Sequence, residues 1–163
     1  MPSMTTSEPS IHALLQSVAA KAQAAGVFGL VRIEGGTLRC DALASAEPAE
    51  FRVFQDGGKV WVALVTGDRW LSQSIEADLV NTGDKIEELL EEELVDLQWK
   101  KEWGSPRLSY EHFRDERKLY TFRTGAPVKM ERADEAGAIV ATLLLGYERT
   151  FRPLGDMEAG DEE

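Results

Sequence analysis

The segment "EFRVFQDGGKVWVALVT", residues 50–66, decides the reading of the chain. Phe51, Val53 and Gln55 alternate with Arg52, Phe54 and Asp56, the period of two that separates the faces of a strand. "DGG" supplies a turn, and residues 59–66 return almost wholly apolar or β-branched. A strand of that kind is covered on both faces, by the chain's own helices or by another subunit.

Upstream, "VFGLVRIEGGTLRCDAL" (27–43) predicts two shorter strands joined at Gly35-Gly36, a favoured hairpin pair, with "LASAEPAE" as the loop between hairpins. Before it, "SIHALLQSVAAKAQAAG" (10–26) carries Ile11, Leu14, Leu15, Val18 and Ala22 at helical spacing. Ser10 is the expected cap and Gly26 the expected stop. Downstream, "RLSYEHFRDERKLYTFRT" (107–124) predicts a last antiparallel pair. Leu108, Tyr110 and His112 point one way, Ser109, Glu111 and Phe113 the other, with "RDERK" as the turn and residues 119–123 returning. "ADEAGAIVATLLLGYERTF" (133–151) closes the chain as a helix burying Ala136, Ile139, Val140, Leu143, Leu144 and Tyr147.

Between the hairpins lies "DRWLSQSIEADLVNTGDKIEELLEEELVDLQWKKEW" (68–103), which could be an acidic site or a helix with a charged outer face. Ile86, Leu89, Leu90, Leu94 and Leu97 form one helical stripe, with Asp84 as expected N-cap and Glu87 as its capping-box partner. Repulsion between Glu87 and Glu91, or Glu88 and Glu92, costs a few tenths of a kcal/mol per pair. Each buried leucine contributes roughly 1.5–3 kcal/mol, so the leucines set the arrangement and the acids are a solvated face. A di-metal helix site would also need Glu-x-x-His partners, and the only histidines, His12 and His112, lie elsewhere. The first part, "DRWLSQSIEADL", has no clear period and reads as a connecting loop.

The predicted class is therefore α+β, an antiparallel sheet with helices packed on one face in the order α-β-β-β-β-α-β-β-α. Residues 1–9 are expected to be a flexible start, 10–152 a single domain, and 153–163 a disordered acidic tail. That tail carries Asp156, Glu158, Asp161, Glu162 and Glu163 of a net charge of -11. Such a charge argues against nucleic acid or an anionic membrane as partner. "MPSMTTSEPS" has no basic opening or apolar core, and no run approaches the roughly 20 apolar residues of a membrane span. The lone Cys40 excludes an intrachain disulfide and fits a reducing compartment, so a cytoplasmic location is expected.

No nucleophile elbow, phosphate loop, dinucleotide fingerprint, EF-hand loop or C-x-x-C is present. Cys40 reads as an inert core thiol, His112 as a half-buried sheet residue, and His12 as exposed. Glu111 and His112 are neighbours on a strand and so face opposite sides. Trp70, Leu71, Ile75 and Leu79 could pin the connecting loop to the core. Alternatively Trp70, with Trp61 and Trp99 or Trp103, could line a protein-binding surface, where aromatics and arginine are favoured anchors. "QWKKEW" adds a small basic-aromatic patch, too small for nucleic acid.

The hairpin and following segment "FRVFQDGGKVWVALVTGDRWLSQSIEADL", the helix "DKIEELLEEELVDL" and the hairpin "LSYEHFRDERKLYTFRT" together resemble the type III secretion chaperone-like fold. YbjN-type proteins and related bacterial and cyanobacterial proteins resemble it in the same way. The resemblance spans roughly residues 10 to 150, with one additional early strand. It implies a small acidic homodimer that binds an extended segment of a client protein. The apolar strand 59–66 and the leucine stripe are the expected dimer contacts.

The leading expectation is a non-catalytic protein-binding module, chaperone-like or regulatory, without cofactor or metal. Its candidate contacts are Trp61, Arg69, Trp70, Leu71, Ile75, Trp99 and Trp103, with an apolar groove near the first helix and early strands. The alternative is a small-ligand protein or enzyme whose site assembles from Arg69, Glu76, Asp78 and His112. A purely structural subunit of a larger assembly is a third reading.

Overall fold

The computed structural model describes residues 7–43, 49–83, 85–114, 119–128 and 133–154. Helix α1 (Ser7–Ala25) leads into four strands, β1 (Phe28–Glu34), β2 (Thr37–Ala42), β3 (Glu50–Asp56) and β4 (Lys59–Thr66). Helices α2 (Arg69–Thr82) and α3 (Ile86–Asp96) follow, then a short 3-10 turn (Lys101–Trp103). Strands β5 (Glu111–Arg114) and β6 (Tyr120–Gly125) and helix α4 (Ala133–Phe151) complete the domain. The six strands form one antiparallel sheet in the order β1-β2-β3-β4-β6-β5.

The class is α+β, with a fourth helix beyond the expected order. Both early hairpins turn where the glycine pairs stand. Gly35 and Gly36 have φ of 58° and 77°, Gly57 and Gly58 of 62° and 79°. Two successive positive φ values match the right-handed twist of the flanking strands, and glycine adopts them without steric cost.

One sheet face carries the core. Leu38, Cys40, Phe51, Val53, Val62, Leu64 and Phe122 are buried beneath α1 and α4. The stripes expected of those helices are interior: Leu14, Leu15, Val18 and Ala22 on α1, with Ile11 half-buried, and Ala136, Ile139, Val140, Leu143, Leu144 and Tyr147 on α4. Helix α1 begins at Ser7, three residues before the expected cap Ser10, and ends at Gly26 with φ 70°. Its apolar face packs against α4 and β1–β3, where a binding groove was expected. At the other terminus, Leu154 belongs to the core, and the acidic residues from 155 onward lie outside the described residues.

The leucines of α3 do point inward: Ile86, Leu90 and Leu94 are buried against α4. Its carboxylates face outward or meet arginines, Glu91 with Arg107 and Glu93 with Arg149. Lys85 occupies the N-cap without a side-chain bond, and Asp84 lies outside the described residues. The far end closes with Gln98 at φ 69°, as Gln98 N–H donates to Val95 O and Trp99 N–H to Leu94 O. That is the two-bond Schellman stop, here built without glycine.

Three expectations need correction. Residues 69–82 are a helix rather than a loop: Asp68 Oδ1 accepts the Leu71 N–H at 2.9 Å, Gly83 closes the end at φ 77°, and Leu71 and Ile75 bury one turn apart. Strand β5 starts at Glu111, since Leu108 and Tyr110 pack on the core from an irregular segment. Finally, β4 is hydrogen-bonded on both edges and the leucine stripe is covered by α4, so both expected dimer contacts are occupied within the chain. The second face of β4 is closed by its own neighbours. Ala63, opposite Arg52 and Arg123, is 0% exposed.

Candidate functional site

Where β4 ends, Thr66 Oγ1 accepts the Asp68 N–H and Asp68 caps α2. The helix therefore starts beside the last ladder, with Arg69, Ser72, Gln73 and Glu76 recurring along one side at helical spacing. Across from them, His112 and Arg114 on β5 pair with Phe122 and Tyr120 on β6. Alternation puts these four on the helix-covered face, because Phe122 is core. Between α2 and the β5–β6 pair lies a cavity of about 760 Å³, open to solvent. Ser72, Gln73, Glu76, His112, Arg69, Arg114 and Tyr120 line it, with Gly67 and Phe113 at its border.

His112 is held on three sides. Its ring stacks on Phe122 at 3.8 Å between centroids and 11° between planes. Nδ1 lies 2.7 Å from Glu76 Oε2, and Nε2 lies 3.3 Å from Ser72 Oγ. A carboxylate accepts, so Nδ1–H donates to Glu76, and the neutral ring's Nε2 accepts from the Ser72 hydroxyl. Burial lowers the His112 pKa, outweighing Glu76, which raises it. The imidazole is therefore neutral at pH 7.

Serine, histidine and glutamate in that order form the connectivity of an acyl-transfer triad. Other features of the site do not fit that chemistry. Ser72 is 2% exposed and its bond to His112 is long. The neighbouring N–H groups of Leu71 and Ser72 already donate to Asp68, so neither is free to receive an oxyanion. What the arrangement does physically is lock the histidine's tautomer and rotation.

The arginines of the chain differ in how they are paired. Arg32, Arg39, Arg52, Arg107, Arg123, Arg149 and Arg152 each meet a carboxylate. Arg69 and Arg114 form no ion pair among the described residues, and both line the cavity. Arg114 instead lies 5.6 Å from the Tyr120 ring centre.

The expected contact residues separate into different settings. Arg69 faces the cavity, whereas Trp70 points outward from α2 at 74% exposure. Leu71 and Ile75 are 0% exposed, so they anchor α2 and cannot touch a partner. Trp61 stands on the opposite sheet face, its ring 3.8 Å from the Arg123 guanidinium and its Nε1–H donating to Asp56 O. Trp99 packs on the core at the Schellman stop, donates to Gly104 O at 2.9 Å, and meets Trp103 edge-on at 5.1 Å. Trp61 is thus on the sheet face away from the cavity, and Trp99 and Trp103 touch each other.

Of the residues proposed to assemble from afar, Arg69, Glu76 and His112 do line one cavity, and Asp78 does not. Ser72, Gln73, Arg114 and Tyr120 were not foreseen. The helical spacing of Arg69, Ser72 and Glu76 was the available signal for the α2 side. Among the described residues, no group of three or more His, Cys, Asp or Glu converges as metal ligands would, and no helix is long and apolar enough to cross a membrane. Compared with protein-family models, curated proteins and solved structures, the chain finds no match.

Proposed function

We propose that the chain is a non-catalytic protein-binding module of the type III secretion chaperone-like kind, acting as a cytoplasmic homodimer. It holds an extended segment of a client in the cavity between α2 and the β5–β6 pair. The observation that carries this reading is the outward side of α2. Trp70 follows the cavity's Arg69 in sequence at 74% exposure, and Val80 on the same helix is 80% exposed. Exposed apolar groups on the helix that walls an open polar cavity suit a ligand with alternating polar and apolar side chains. A cavity of about 760 Å³ accommodates a few residues of such a segment.

Selection of a random peptide display library on the full chain tests the binding role. Enrichment of a shared motif, lost with Trp70→Ala, is expected; no enrichment, or enrichment indifferent to Trp70→Ala, overturns it. Light scattering tests the dimer, and an 18.1 kDa particle alone at micromolar concentration overturns that part.

The order Ser72–His112–Glu76 favours a second reading, an acyl-transfer enzyme. A fluorophosphonate probe separates the two: labelling at Ser72 would establish the enzyme, and the binding module predicts none.

A further inference from the structure

We infer that the cavity between α2 and β5–β6 is a carboxylate site, with Arg69 and Arg114 as its paired recognition groups. This rests on the binding reading above and names what the cavity recognises. The chain has a net charge of -11, and carboxylates neutralise the other described arginines. Two guanidinium groups left without an ion pair among the described residues, lining one cavity, are the places where that acidic surface accepts an anion.

The balance of charge favours a single negative charge. Arg69 and Arg114 bring two positive charges, Glu76 one negative, and His112 is neutral while it donates to Glu76. A carboxylate brings the cavity to neutrality, whereas a doubly charged phosphate would exceed it beside Glu76. Tyr120 lines the same cavity and offers ring surface to the apolar body that carries the acid. Arg114 is already oriented across the Tyr120 ring, so part of its freedom is spent before binding. The ligand class is thus an acid attached to an apolar or aromatic group. Its sources are the C-terminal end of a client peptide, an acidic side chain within one, or a free organic acid.

The test uses the full chain and titrations followed by NMR, reading the His112 imidazole resonances. Four probes are compared: acetyl-Ala-Phe with a free carboxylate, its C-terminal amide, 3-phenylpropionate, and inorganic phosphate. Saturable shifts of His112 with acetyl-Ala-Phe, absent with its amide, are expected. Arg69→Gln and Arg114→Gln should each weaken binding by about tenfold or more, consistent with loss of a charge-assisted pair. Arg114→Lys should recover part of that loss, while Arg107→Gln, whose partner is Glu91, should change nothing.

Equal binding of acid and amide, phosphate binding as tight as carboxylate, or insensitivity to both arginine changes overturns the inference. Failure of the two readings is distinguishable. Peptides that bind without a carboxylate requirement leave the binding module standing and remove the carboxylate site. Binding of 3-phenylpropionate with no peptide bound at all does the reverse.

Discussion

Gly146 of α4 lies so close to Leu94 of α3 that a methyl group on the glycine would stand 2.7 Å from the leucine Cδ2 and 3.2 Å from Leu90 Cδ1. Those two leucines are 0% exposed and have little room to yield. Alanine would gain helix propensity of about 1 kcal/mol against this crowding, so a larger residue gives the clearer test. Gly146→Val is expected to lose about 2 kcal/mol or more in urea unfolding, because overpacking forces the helices apart. An unchanged midpoint would contradict the close approach.

Gln98 at φ 69° holds a position that glycine fills without penalty. Gln98→Gly should keep both Schellman bonds and raise stability by about 0.5–1 kcal/mol, from relief of the left-handed strain. A lower melting temperature would show that the glutamine side chain contributes something the backbone geometry does not reveal.

Glu50 gathers three arginines on the open sheet face: Arg39 at 2.8 Å, Arg32 at 2.9 Å and Arg52 at 2.9 Å. Burial pushes its carboxyl up, but hydrogen bonds from Arg39 and Arg52 and their charges outweigh it, lowering the pKa to about 2. A depressed carboxylate contributes stability in full above its ordinary 4.5, and that contribution is lost as the pH falls from there toward 2. Glu50→Gln is expected to cost about 1–3 kcal/mol at neutral pH and to flatten the acid limb of the stability curve.

For His112 the lowered pKa means that the unfolded chain takes up the proton first as the pH falls. Its contribution is complete above the ordinary 6.5 and diminishes as the pH drops through the folded value. Unfolding measured at about pH 7 and about pH 5 should therefore show a larger loss for the parent chain than for His112→Asn. Equal losses would mean that Glu76 compensates burial more fully than the geometry indicates.

Cys40 is 0% exposed, and its thiol is pushed up to about 12, chiefly by burial and next by Asp41. Reaction with a disulfide reagent should be negligible in the native state and proceed at the rate of unfolding in denaturant. Rapid native labelling would place β2 in an opening motion absent from the packing described.

Much of the sheet was legible because its punctuation is local. Gly35-Gly36 and Gly57-Gly58 fix two hairpins, and the alternation of Phe51, Val53 and Val62 sets which face is buried. The long helices were equally plain, since their apolar stripes are uninterrupted. Helix α2 was hidden because Trp70 and Val80 lie exposed among its buried positions, so the apolar residues no longer fall on one face. The candidate site was only partly legible for a different reason. Ser72 and His112 meet across a separation of 40 residues, and no local period records which strand lands beside which helix. That depends on β6 entering between β4 and β5, a choice made by the whole sheet.

One wall of the cavity is the four-residue β5, which borders β6 and has no strand on its other side among the described residues. A margin strand held by a single ladder is among the first parts of a domain to fray. A guest bridging Arg69 and Arg114 would fasten that margin to α2, so occupancy and fraying become competing states of the same segment. Slowed amide exchange at Glu111–Arg114 would then report a guest before its chemistry is known.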